Sequence, residues 1–101
     1  MTNLETPDPP ARSPEFAAER AYELHPQVAL RREPFGALAY HFGNRRLTFV
    51  RSLELVELLE QLGDHGSVTA ALEALGVDDR HRPSIERALA SLEQSEVIRE
   101  R

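Results

Sequence analysis

The chain has 101 residues, is 41% hydrophobic and 29% charged, and contains no cysteine. That size suits one small domain hiding only about 60% of its unfolded surface, which leaves little room for an enzyme cleft. Neither a disulfide framework nor a thiolate metal site is available, and no apolar run approaches the roughly 18 residues of a membrane helix. No signal-peptide core follows Met1, so a soluble, cytoplasmic protein is expected.

Charge is more informative by segment than in total. Residues 25–51 hold 5 Arg against 1 acid, a net of +4, inside a chain whose net charge is −5. Residues 52–101 hold 5 Arg against 11 acids, a net of −6. A basic island in an acidic protein fits an acidic partner, or else an internal match between basic strands and acidic helices.

Residues 1–14 hold four of the seven prolines among polar side chains and read as a flexible tail. The tail is taken to run to residue 24, with at most a weak short helix in EFAAERAYEL, and the folded domain to span residues 25–101. From Gln27 the pattern has period two. Val28 and Leu30 alternate with Ala29 and Arg31, and Glu33-Pro34-Phe35-Gly36 makes a turn. Leu38, Tyr40 and Phe42 then alternate with Ala37, Ala39 and His41. Gly43-Asn44 fits a two-residue type II′ loop with Gly at positive φ. A third strand carries Leu47 and Phe49 on one face and Arg46, Thr48 and Val50 on the other.

The two-residue loop pairs Phe42 with Arg45, Tyr40 with Leu47, and Leu38 with Phe49. All the large apolar residues then share one face, which is expected to meet the core. With those pairs hydrogen-bonded, Arg46, Thr48 and Val50 direct their main-chain groups at an open edge, a template for another chain. His41, opposite Arg46, is expected on the outer face, and Tyr40 in the core.

Three helices follow. Ser52 caps a segment ending near Gly63, and Ser67 caps VTAALEAL before Gly76. Pro83 or Ser84 opens a third segment bearing Ile85, Leu89 and Leu92. The fold class is α+β: a three-stranded antiparallel sheet, then three helices, in a winged helix-turn-helix-like order.

That order, with Leu24-His25-Pro26, Val28-Ala29-Leu30-Arg31, Pro34-Phe35-Gly36-Ala37-Leu38, Tyr40-His41-Phe42-Gly43, Leu47 and Phe49, resembles the PqqD-like peptide chaperones. These are recognition elements of ribosomally made, modified peptides, and the motifs most resemble the mycofactocin-system branch. The resemblance implies a non-catalytic chain without a cofactor. It would bind the leader of a precursor peptide as a strand added along the third strand, in a groove walled by the third helix. A radical SAM maturase, the second partner implied, would carry out the chemistry.

The residues themselves add a candidate site. Arg46, Thr48 and Val50 would offer the edge, and Leu47, Phe49, Ile85, Leu89 and Leu92 an apolar groove. Arg45, Arg46 and Arg87 would stand at its rim for leader carboxylates. The plainer account makes the apolar residues core and the arginines solvated charge.

Two rivals use the same parts. A winged helix-turn-helix DNA binder is disfavoured because the third helix carries Glu86, Glu93 and Glu96 against Arg87. A structural homodimer through open edges leaves the state as monomer or weak dimer. His25, His41, His65 and His81 lack metal-ligand spacing, and no nucleophile triad or phosphate loop is visible. No enzyme, metal, nucleic acid or membrane is expected.

Overall fold

The computed structural model describes residues 16–101, so the proline-rich stretch lies outside the described residues. The first strand is β1 (Tyr22–Leu24), followed by β2 (Val28–Glu33), β3 (Gly36–His41) and β4 (Arg46–Val50). Helix α1 (Leu53–Gln61) runs into a 3-10 turn at Leu62–Asp64, and α2 (Val68–Ala74), α3 (Arg82–Gln94) and β5 (Ile98–Glu100) complete the chain. Strands β2, β3 and β4 form the expected antiparallel sheet, and β1 pairs with β5 in a separate ribbon.

Local chemistry sets the helix starts. The hydroxyl of Ser52 accepts from the Leu55 amide at 3.1 Å, and that of Ser67 from the Ala70 amide at 3.0 Å. Each cap satisfies an amide that the first helical turn leaves without a partner. At the β2–β3 turn, Gly36 has φ +147, and a Cβ there would stand 2.0 Å from the Val50 carbonyl oxygen. Only glycine permits that approach.

The segment before Leu24 departs from expectation. Tyr22–Leu24 form a strand rather than a helix end, paired with Ile98–Glu100 at the far end of the chain. Tyr22 is buried, packs against Phe16 in a tilted arrangement with ring centroids 4.9 Å apart, and accepts the Ala17 amide on its hydroxyl. The amides of Val68 and Thr69, at the start of α2, donate to the carbonyls of Arg20 and Ala18. The packed unit therefore reaches back to Phe16, and the expected boundary after residue 24 falls inside it. A local reading misses this, because the partner strand is over seventy residues away in sequence.

The core lies between the helices and one face of the larger sheet. It joins Val56, Leu58 and Leu59 of α1, Leu72 of α2 and Leu89 of α3 to Ala37 and Ala39 of β3, Val50 of β4 and Ile98 of β5. Helix α1 packs on β3 and β4, whereas α3 packs on β5. A bidentate ion pair, Arg32 Nε and Nη2 on Glu60 at 3.0 and 2.6 Å, ties β2 to α1. It holds the Glu60 carboxyl below its ordinary range.

Candidate functional site

The β3–β4 register matches the one read from the sequence, with Leu38 opposite Phe49, Tyr40 opposite Leu47 and His41 opposite Arg46. The face is the opposite one. Ala37, Ala39, His41 and Val50 are buried under the helices, while Tyr40 is 40% exposed, Leu47 53% and Phe49 52%. Small side chains at 37 and 39 let the helices approach the sheet closely. The bulky alternate set is left outside, where Phe35 stacks on Phe49 with centroids 5.8 Å apart. Tyr40 is thus not core, and His41 is not on the outer face.

The phase of the main chain also differs from expectation. The Arg45 amide donates to the His41 carbonyl at 2.6 Å, and the Phe42 amide to the Gln27 carbonyl at 2.9 Å. In a strand, one residue's N–H and C=O point to the same side, and successive residues alternate. His41, Ala39 and Ala37 therefore face β4, and Tyr40 and Leu38 face β2. On β4 it follows that Arg46, Thr48 and Val50 turn inward, and Leu47 and Phe49 aim their amides and carbonyls at the free edge. The loop is the reason. It spans four residues, with Arg45 at φ +65, instead of two with Gly43 at positive φ. Among the described residues, nothing pairs with that outer edge of β4.

His41 organises this loop. Its Nδ1 accepts the amides of Gly43 and Asn44, both at 3.1 Å, which places the ring proton on Nε2. Nε2 is buried and finds no hydrogen-bond partner among the described residues; it lies 3.9 Å from the Glu96 carboxylate, and the ring lies 4.5 Å from that of His25. Asn44 Oδ1 accepts the Arg46 amide at 2.9 Å, so the loop meets its own polar needs. The sequence signal for a buried His41 was its phase with Ala37 and Ala39.

Charge on the basic island divides in two. Arg31 pairs with Glu33 at 2.9 Å and Arg32 with Glu60. Among the described residues, Arg45, Arg46 and Arg51 meet no carboxylate, and all three lie on β4 or immediately beside it. Arg51 holds its guanidinium carbon 5.6 Å from the Phe49 ring centroid. Arg51 was not among the residues picked out from the sequence, although its position at the end of the apolar run marked it.

The expected groove does not assemble as drawn. Ile85, Leu89 and Leu92 are buried in the core, on the helical side of the sheet, whereas Leu47 and Phe49 stand on the other side. Arg87 is exposed on α3. What the structure brings together is an open edge with apolar side chains at its centre and free arginines at its ends. Such an edge can hold an extended chain by main-chain pairing and read alternate side chains. Among the described residues, no cluster of three metal-ligating side chains occurs, and no helix is long and apolar enough to cross a membrane.

A family model described as the peptide chaperone MftB family matches residues 21–99. The peptide chaperone MftB of Mycobacterium tuberculosis is 41% identical over 88 residues, covering 87% of this chain and 81% of that protein. The protein of the same name from Mycolicibacterium smegmatis is 43% identical over 83 residues, covering 82% and 81%. That from Mycobacterium ulcerans is 42% identical over 83 residues, covering 82% and 76%. No solved structure matches at the same stringency.

Proposed function

Because this chain belongs to the peptide chaperone MftB family, a family of chaperones rather than enzymes, we propose that it binds the leader of a mycofactocin-type precursor as a strand added to β4. In this reading it presents the bound precursor, in the cytoplasm, to a radical SAM maturase. The observation that carries the proposal is the free edge, where, among the described residues, the main-chain groups of Leu47 and Phe49 have no strand beside them.

Those two residues offer four hydrogen bonds. At roughly 1 kcal/mol net each they give about 4 kcal/mol, equivalent to millimolar affinity. Two leader side chains covering Leu47 and Phe49 add roughly 2 kcal/mol each, which brings the sum near micromolar. Arg45, Arg46 and Arg51 favour carboxylates at the ends of the bound segment. The leader that fits is acidic, with apolar residues at alternate positions. Thr48 and Val50 hold β4 to β3, and Ile85, Leu89 and Leu92 support the sheet from the core.

The test is a titration of isotopically labelled chain with the cognate precursor peptide, read by amide NMR shifts. Shifts concentrated on residues 45–51 at micromolar peptide are expected. Binding that leaves those amides unmoved would rule out addition at β4.

A further inference from the structure

Two helices of this chain end in the same hydrogen-bond pattern. At the end of α2 the Gly76 amide donates to the Glu73 carbonyl and the Val77 amide to that of Leu72, at 3.1 and 3.0 Å. At the end of α3 the Glu96 amide donates to the Glu93 carbonyl and the Val97 amide to that of Leu92, both at 2.9 Å. Both are Schellman closures, in which the residue after the C-cap takes a left-handed conformation. Gly76 does so at φ +72 without steric strain, whereas Glu96 does so at φ +64 with a Cβ to accommodate. Glycine would serve this helix end with less strain, and the carboxylate is what glutamate adds. That carboxylate lies 3.9 Å from His41 Nε2. Among the described residues, it pairs with no arginine.

A second strained residue meets the same histidine. Among the described residues, Arg45 and Glu96 are the two non-glycine residues at positive φ. The Arg45 amide donates to the His41 carbonyl, and the Glu96 carboxylate faces the His41 ring. Backbone strain persists only where the surrounding structure over-determines it, and it gathers where geometry matters to function.

His41 holds the Gly43 and Asn44 amides only while Nδ1 keeps its lone pair and the ring proton sits on Nε2. In the other neutral tautomer Nδ1 would turn a proton toward two donors and expel the loop. A negative charge beside Nε2–H favours the tautomer that the loop requires. The separation exceeds an ordinary hydrogen bond, so the carboxylate acts through its field. Burial of the ring makes that field stronger than it would be in water.

Resting on the function proposed above, we infer that Glu96 is a positioning residue for the leader edge. It fixes the His41 tautomer, His41 fixes the four-residue loop, and the loop fixes which amides of β4 face the peptide. A residue at the end of α3, outside the edge itself, thereby sets the hydrogen-bond phase of that edge.

The test compares wild-type chain with Glu96→Gly, His41→Asn and the double variant. Three readouts are taken: thermal melting, nitrogen NMR of the His41 ring and the loop amides in the free chain, and anisotropy with labelled precursor peptide. Glu96→Gly is expected to melt about 3 °C higher, because glycine relieves the left-handed strain. It is nevertheless expected to bind peptide about fivefold more weakly, the worth of roughly one hydrogen bond. Its His41 nitrogens are expected to move toward a mixture of tautomers, and the Gly43 and Asn44 amides to shift with them. Asparagine at position 41 offers an oxygen to the same two amides and has no tautomer to choose. His41→Asn is therefore expected to bind within about threefold of wild type, and adding Glu96→Gly to it to change affinity less than about twofold. A stabilised Glu96→Gly that keeps the wild-type tautomer and affinity would overturn the inference. So would a lower melting temperature for Glu96→Gly, since the glutamate would then be serving the helix end. An equal loss in the His41→Asn background would overturn it too, by routing the effect around the ring. Failure of wild-type chain to bind the peptide would instead remove the underlying function, and the ring and loop nitrogens of the free chain would still decide whether Glu96 positions His41.

Discussion

Replacing Leu47 with proline tests the open edge most directly. The Leu47 amide points away from β3, so proline removes no bond of the sheet. The preceding residue, Arg46, is already extended, as a residue before proline prefers. Half of the Leu47 side chain is exposed, so the folded state is expected to lose no more than about 1 kcal/mol. Peptide binding loses one of four main-chain bonds, about 1 kcal/mol, and the ring crowds the incoming carbonyl at similar cost. The sum, about 2 kcal/mol, predicts roughly thirtyfold weaker binding. Leu47→Ala separates the side-chain contribution, and fluorescence anisotropy with labelled precursor peptide measures all three proteins. Thr48→Pro is the counterpart. Its amide faces Ala39 inside the ladder, so it is expected to destabilise the hairpin by at least 1–3 kcal/mol in thermal melts. If folded Leu47→Pro binds as tightly as Leu47→Ala, strand addition at β4 is wrong. If Thr48→Pro melts like wild type and alone loses the peptide, the main-chain phase derived for β4 is wrong.

Further outcomes can be checked on the same material. Gly36→Ala drives a Cβ into the Val50 carbonyl at a positive φ, and is expected to cost more than about 2 kcal/mol by denaturant unfolding, through clash and backbone strain together. Reversing charge with Arg46→Glu is expected to weaken precursor binding several-fold at low ionic strength and to flatten its salt dependence, in titrations at two salt concentrations. Glu93 has its carboxyl pKa raised by burial, with repulsion from Glu100 adding to the shift and Arg20 opposing it. Between the unfolded and folded values the native state holds the extra proton, so stability falls as pH rises through that window and stays lowered above it. Glu93→Gln is expected to melt roughly 2 °C above wild type near pH 7, under about 0.5 kcal/mol after screening, and to show no advantage below about pH 4. A constant difference across pH would refute that account.

The mycofactocin-type resemblance, the α+β class, the hairpin register and the serine caps that start the first two helices were legible in the residues, because each rests on local or period-two information. Alternation along residues 37–50 dictates that Leu38, Tyr40, Leu47 and Phe49 share a face, whatever surrounds them. It does not say which face the helices will cover. That choice came from packing, where Ala37 and Ala39 admit close approach of α1 and the bulky set is left to solvent.

Loop geometry was decided at the same level. Two residues or four around Gly43-Asn44 give the same side-chain register, but Arg45 at positive φ with a bond back to His41 inverts which amides of β4 face outward. The buried His41 ring, which holds two loop amides, makes the four-residue form self-sufficient, and it lies against the His25 ring and 3.9 Å from the carboxylate of Glu96, near the far end of the chain. The β1–β5 pairing is likewise non-local, and no period in YEL marks it. Composition and periodicity thus determine which side chains travel together. Only the assembled helices and the strand from the C-terminus determine which way they point, because burial is a property of contacts between distant segments.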